Sequence, residues 1–408
     1  MTGRTGQLLI FFLLLLSLAL RSPLLCLLDA LVLLVAGASA LWGRYCLAGV
    51  SYARRFGALR LVCGEETDLW VEIANAKPLP LAWLKAVDEL PAEFSVKHME
   101  LGYSAHTRRR ILTNMLSLRW YELVRRHYRL TAECRGAFEL GPVVLSSGDI
   151  FGFRTRYRDV DDRQTVLVYP RLVPLDRLGL RPAGPFGDSR TRRRIADDPL
   201  ALAGARDYQP GDSVRHIHWK ATARRSALQT KVFEPGALQH IAIFLNSQTL
   251  GRAHEGVVTE HFETAVVVAA SAARAGLEAL HPVGLFTNGG VKESAHRVRL
   301  PTSRHSSQQT RILETLARLT YFTFLPFETL LRLEAPQLLY GATVIAISAV
   351  VSEPILSGLL DLHAAGHPVA LILVGSPASG PLPPELPAYF VEKNWTELES
   401  LDFPLKTP

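Results

Sequence analysis

The sequence predicts a multidomain α+β chain: an N-terminal transmembrane helical hairpin, an antiparallel β-sandwich, and an α/β domain with a doubly wound parallel sheet. Three observations lead there. Two long apolar runs open the chain, alternation with a period of two fills residues 58 to about 170, and short apolar runs alternate with helical stretches after about residue 238. A chain of 408 residues is long enough for two or three domains with cores of their own. The expected boundaries are a hairpin over 1–55, a β-sandwich over 56–172, a linker over 173–237, an α/β domain over 238–376 and a Pro-rich tail over 377–408.

Apolar residues make up 48% of the chain, and a mean hydropathy of +0.13 is high for a soluble protein. The excess sits in residues 8–20, LLIFFLLLLSLAL, and 24–42, LLCLLDALVLLVAGASALW. The second run has the roughly 20 residues a bilayer core demands, and the first is shorter. The predicted spans are about 7–21 and 24–43. A cleaved signal peptide, with Arg4 as its positive end, is the alternative for the first run. Against it, the second run follows after only Arg21, Ser22 and Pro23. Arg4 precedes the first span and Arg44, Arg54 and Arg55 follow the second, so the positive-inside rule puts both ends in the cytoplasm. A cell-membrane protein with two spans and a cytoplasmic bulk is expected. Asp29, inside the second run but close to the predicted outer turn, reads as reaching the headgroups rather than as a functional carboxylate.

The four cysteines form no CxxC pair, which argues against a zinc site or a disulfide framework. Cys134 fits the buried face of a strand. A net charge of +7 and a pI near 9.3 raise nucleic acid as a partner, yet no reading motif accompanies the basic clusters at 108–110, 125–129 and 190–194. An anionic inner leaflet is the better use for such charge. Membrane lipid, and no nucleic acid, is therefore expected.

In the β region, Leu69, Val71 and Ile73 point one way, as do Tyr128, Leu130, Ala132 and Cys134, with polar residues between them. Gly64, Asn75, Gly136, Gly141-Pro142 and Gly148-Asp149 punctuate the runs. Farther on, HIAIFLN (240–246), HPVGLFTN (281–288), ATVIAISAV (342–350) and HPVALILVG (367–375) read as strands buried on both faces. Helices are expected over 259–277 and 354–366, the latter stopped by Gly366. Such sheets hold ligands at the carboxyl ends of their strands. Those ends carry Asn246, Gln248 and Ala349 and lack the carboxylates a hard divalent cation wants, and no phosphate loop or nucleophile elbow occurs anywhere.

The densest chemistry lies at 206–225, RDYQPGDSVRHIHWKATARR. Pro210-Gly211 makes a turn, and Asp212 is a natural N-cap for a helix starting at Ser213, with Val214, Ile217 and Ala221 as its apolar stripe. On that helix His216 and His218 point apart and cannot share a metal. A hydrolase using Asp207, Asp212, His216 or His218 stays open as the alternative. The preferred reading is a docking or interdomain element, with Asp–Arg pairs and Trp219 as its rigid parts.

This stretch resembles the family called domain of unknown function 58 (DUF58). The family's signature is matched at Asp207, Tyr208, Pro210, Gly211, Asp212, Arg215, Ile217, Trp219, Lys220, Ala223 and Arg224, and RGAFELGPVVLSSGDIFGF (135–153) is similar to a second family segment. The resemblance implies a membrane-anchored protein with a von Willebrand factor A-like C-terminal domain. It further implies MoxR-type AAA+ ATPases as partners and, often, a transglutaminase-like membrane protein. In a von Willebrand A domain Asp-x-Ser-x-Ser holds magnesium. Asn246, Gln248 and Leu250 stand there in this chain, with Ala349 at a later aspartate position, so no metal or cofactor is expected. The function implied is a non-enzymatic adaptor or scaffold that presents a cytoplasmic docking surface for protein assembly or maturation.

Overall fold

The structure, a computed structural model, describes residues 23–150, 152, 154–175, 202–208, 217–225, 227–233, 239–251, 255–291, 294–375 and 382–401. The chain divides into two compact units, Met1–Pro170 and Arg171–Pro408.

The first unit opens with helix α1 (Pro23–Tyr45), in which Pro23 takes the first helical position, where its missing N–H costs nothing. Leu24, Leu27, Leu28, Leu31 and Leu34 are exposed, so α1 is no core helix of the unit that follows. Among the described residues it is the one helix long and apolar enough to cross a bilayer. The expected two-span hairpin is therefore not supported, and its first span, about 7–21, lies outside the described residues. Asp29 is 9% exposed within α1.

Twelve strands follow: β1 (Val50–Phe56), β2 (Arg60–Val62), β3 (Glu66–Asn75), β4 (Leu81–Leu90), β5 (Phe94–Val96), β6 (Gly102–Ser104), β7 (Arg109–Leu118), β8 (Leu123–Ala132), β9 (Gly136–Leu140), β10 (Val143–Gly148), β11 (Thr155–Val160) and β12 (Gln164–Tyr169). They form sheets in the orders β1-β3-β8-β5, β11-β10-β4-β7-β6 and β2-β12-β9. Every pairing is antiparallel except β2 with β12. Alternation does the sorting: Leu69, Val71 and Ile73 from β3, Leu84 and Ala86 from β4, Leu130 and Ala132 from β8, and Val143 and Leu145 from β10 share one apolar core. Each Leu, Ile or Val among them contributes about 1.5–3 kcal/mol of burial, and each Ala less. Cys134 departs from expectation. Strand β8 ends at Ala132, so the alternation stops before Cys134 and leaves it exposed.

The same alternation carries a cation inward. On β1, Val50, Tyr52 and Arg54 face the core while Ser51, Ala53 and Arg55 face out. Arg54 is thus no membrane-flanking charge. Its Nη1 donates to Asp88 Oδ1 at 3.0 Å and its Nε to Asp162 Oδ2 at 3.3 Å, while Tyr52 Oη donates to Asp88 Oδ2 at 2.7 Å. Burial pushes the Asp88 carboxyl up to about 6, with Arg54 and then Tyr52 pulling the other way. The folded chain thus holds this proton more tightly than an unfolded one, whose carboxyl ionises near its ordinary value of 3.8. Asp88 accordingly favours folding most below that value. The contribution declines by about 3 kcal/mol as pH rises to about 6, and is flat above. An amide cannot titrate, so Asp88→Asn should flatten this part of the stability–pH curve, measured by urea unfolding at a series of pH values.

The second unit carries β13 (Leu202–Asp207), α2 (Trp219–Arg225), β14 (Gln229–Phe233), β15 (Ile241–Leu245), α3 (Thr259–Glu278), β16 (Val283–Val291), β17 (Ser294–Ser303), α4 (Gln308–Arg318), β18 (Leu319–Thr323), α5 (Phe327–Glu334), β19 (Thr343–Ser348), α6 (Glu353–Ala364), β20 (Val369–Val374) and β21 (Ala388–Val391). Strands β13 and β14 pair by themselves, and the others form a seven-stranded sheet, β17-β16-β15-β19-β20-β21 with β18 on β16.

The expected fold class is corrected here. The chain is mostly β-sheet with few helices, and this sheet is not a wound, all-parallel, von Willebrand A-like one. Its central pairings are parallel, but β17 and β18 both run antiparallel to β16. The reason is local. After β16 the chain turns straight back as the ten-residue strand β17, a hairpin return where a crossover helix was expected. At this same end of β16, where β18 pairs through Gly289 and Val291, Gly290 lies so close to the Phe324 ring that a Cβ would overlap it. Phe244, stacked on Phe286 at 5.0 Å between ring centroids, anchors a core shared with α5 and α6.

Candidate functional site

The signature stretch forms a hairpin with a helix set into it. Asp207 pairs with Gln229 and Arg206 with Thr230 across β13 and β14. Ile217 bridges Thr230, and the His218 N–H donates to the Gln229 carbonyl at 2.8 Å. Residues 217 and 218 are therefore extended, which corrects the helix expected from Ser213 at these positions. The described helix begins only at Trp219. His218 is its N-cap: the Ala221 N–H donates to His218 Nδ1 at 3.1 Å, and His218 O accepts from Ala221 and Thr222. A ring nitrogen thus takes the place of the usual Ser or Asp oxygen.

At the centre lies Gln229, fully buried. Its Nε2 donates to Asp207 Oδ1, and its N–H donates to Thr222 Oγ1 at 3.0 Å. Gln229 thereby ties β13, α2 and β14 together. Sequence reasoning missed it, because a lone Gln opening the short strand QTKVF has neither motif nor spacing to mark it.

The structure brings Asp207, Tyr208, Ile217, Trp219, Lys220, Ala223 and Arg224 onto this hairpin; Pro210, Gly211, Asp212, Arg215 and His216 lie outside the described residues. Ile217 is buried, whereas α2 buries none of its residues. Trp219 is 66% exposed, and Lys220, Ala223 and Arg224 are exposed on the same helix. Trp219 and Ala223 stand four apart, as do Lys220 and Arg224, so an apolar strip headed by Trp219 and a cationic one lie side by side.

A second place of interest is the set of strand tips after β15, β16 and β19. Asn246 Oδ1 accepts from the Gln248 N–H at 3.0 Å and from Asn288 Nδ2 at 2.9 Å, and Asn246 Nδ2 donates to Ser348 Oγ at 2.9 Å. Both lone pairs of that oxygen are engaged within the protein. Gln248 Nε2 donates to the carbonyls of Leu250 and Gly251, and Ala349 is half-buried. Beside them a cleft of about 390 Å³ is lined by Asn246, Gln248, Phe324, Glu328 and Ser352 among others. The network is neutral and locks three strand ends together. Among the described residues no group of three or more His, Cys, Asp or Glu is placed to hold a metal.

Known proteins match part of this chain. The uncharacterized protein YeaD of Bacillus subtilis (strain 168) is 27% identical over 208 residues, 50% of this chain and 49% of that protein. The chain thus aligns with about half the length of this curated relative. Among solved structures, proximal thread matrix protein 1 from the mussel byssus is 11% identical, covering 40% of this chain and 45% of that one, at a TM-score of 0.29. The sporulation control protein Spo0M from Bacillus subtilis is 16% identical over 30% of this chain and 49% of that one, at 0.18. Values this low support no shared overall fold. The family described as "Protein of unknown function DUF58" matches residues 204–385, which contain the signature hairpin and the strand tips, and with the Bacillus relative this match supports the DUF58 assignment.

Proposed function

We propose that the chain is a membrane-tethered, non-enzymatic adaptor that docks a protein partner on the exposed face of α2. The carrying observation is Trp219, 66% exposed on a helix that also exposes Lys220 and Arg224. Trp and Arg dominate the energetic centres of interfaces because each covers a large area and adds directional polar groups. The underside of that helix is held by Gln229, Thr222 and His218, so the face is preorganised. Its positive rim suits an acidic partner surface. Following the family resemblance, that partner is a MoxR-type AAA+ ATPase, with a transglutaminase-like membrane protein as a second, in protein assembly or maturation. The tether is α1, with Arg44 in its last turn keeping the bulk on the cytoplasmic side. Of the residues the hydrolase alternative would use, His218 engages Nδ1 in capping α2 and Asp207 holds Gln229, while Asp212 and His216 lie outside the described residues.

The test combines Trp219→Ala with Arg224→Glu in the full chain. Truncating an exposed indole changes little in folding, so stability should stay within about 0.5 kcal/mol of wild type. Affinity for the purified ATPase should fall roughly 30-fold, equivalent to about 2 kcal/mol. Undiminished affinity in a folded variant would remove this face from the interface.

A further inference from the structure

We infer that the end of the first unit from which α1 emerges is seated in the headgroup layer of an anionic bilayer, through a rim of exposed aromatic, apolar and arginine side chains. This rests on reading α1 as a membrane span. Register defines the end. Val50 of β1 pairs with Asn75 of β3, Ala74 with Leu123 of β8, Leu81 of β4 with Leu118 of β7, and Gly148 of β10 with Thr155 of β11. The exit of α1 at 46–49, the loops at 76–80 and 119–122, and residues 149, 150, 152 and 154 therefore share one end of the unit.

Side chains bind these loops to the helix. Lys77 Nζ donates to the carbonyls of Cys46 and Ala48 at 2.6 and 2.7 Å, while the Lys77 carbonyl accepts from the Tyr121 N–H at 3.3 Å. One residue thus links the helix exit to the 119–122 turn. On another side of the helix, Ser39 Oγ donates to the buried Asp149 carboxylate at 2.8 Å. Ser39 lies six residues before the helix end, about 9 Å back along its axis. Asp149 therefore lies alongside the apolar helix, about two turns back from its exit.

These loops carry what an interface takes up. Trp120 is 65% exposed, Tyr121 70% and Ile150 59%, costly choices for a surface meeting only water. Trp and Tyr concentrate at the headgroup level, where one end of the ring is apolar and the other wet. Arg44, Arg119 and Arg156 are exposed around the same end, and such cations favour anionic headgroups.

Quenching of tryptophan emission by brominated acyl chains tests this, using the full chain in vesicles of phosphatidylcholine and phosphatidylglycerol. Trp42, on α1, reports the span, and Trp120 reports the rim. A Trp placed by Tyr103→Trp reports the far end of the five-stranded sheet, since Tyr103 pairs with Arg110 at the opposite end of β7. Trp120→Phe should remove a distinct share of the quenching, the rest belonging to Trp42 and to the half-buried Trp83 at the same sheet end, and Tyr103→Trp should add unquenched emission. Replacing phosphatidylglycerol by phosphatidylcholine should weaken the Trp120 share. If Trp42→Phe abolishes the quenching and Trp120→Phe leaves it intact, α1 spans but the rim does not touch lipid, and the inference fails alone. No quenching at all removes the span together with the rim. A Trp at 103 quenched as strongly as Trp120 also overturns the inference, and a Trp120 share indifferent to lipid charge overturns its anionic part.

Discussion

Asp88→Ala is expected to destabilise the first unit by up to about 3–5 kcal/mol, the cost of breaking a buried ion pair by removing one member. Arg54 has no route to water, since its side chain is fully covered. With Asp88 gone it keeps Asp162 at 3.3 Å and the Leu140 carbonyl at 3.4 Å, and Tyr52 loses its acceptor. The raised Asp88 pKa says that even the intact pair is costly to bury. Replacing both partners, Arg54→Met with Asp88→Leu, should therefore recover most of the loss. Urea unfolding of the full chain in detergent, followed by near-ultraviolet circular dichroism, measures both variants. A single substitution costing under about 1 kcal/mol, the range of exposed pairs, would mean that the ion pair is solvated.

Phe244→Ala is expected to cost the second unit about 3–5 kcal/mol as well, through lost burial and the cavity left behind. Phe244 is fully buried in β15, stacked on Phe286, in a core that draws Leu331 from α5 and Leu359 from α6. Phe244→Leu should cost distinctly less, because it removes less volume from the same site. The same unfolding experiment ranks the two, and an equal cost for both would show that volume is not what this position supplies.

The legible parts of the sequence were those where one period ran over many residues. The alternation of Leu69, Val71 and Ile73 marked its buried face, and the apolar runs around Ile243, Leu285, Ile345 and Leu371 all became strands. Arg54 was misread because its charge suggested a membrane flank, although its parity with Val50 and Tyr52 pointed inward. The mixed sheet was missed because an apolar run is equally compatible with a crossover helix or a hairpin return after it, and β16 takes the hairpin. At the signature, Val214, Ile217 and Ala221 fit helical spacing over too few residues to outweigh the bridge of Ile217 to Thr230. Gln229 was invisible, since its role arises only when β14 lies against β13 and α2.

The clamp at the exit of α1 turns the helix and the first unit into a single lever. Lys77 holds the carbonyls of Cys46 and Ala48, and Arg158 holds those of Leu47 and Val50. These are the acceptors that a loose joint would leave to water, and cations suit the negative end of a helix. With the joint held by these four hydrogen bonds, the angle of α1, read as a membrane span, is passed to the strands beyond. A ten-residue strand is about 33 Å long, so a tilt of about 20° carries its far end sideways by roughly 11 Å. On the reading of α1 as a membrane span, a change in its tilt is thereby converted into a displacement of a protein surface well outside the lipid.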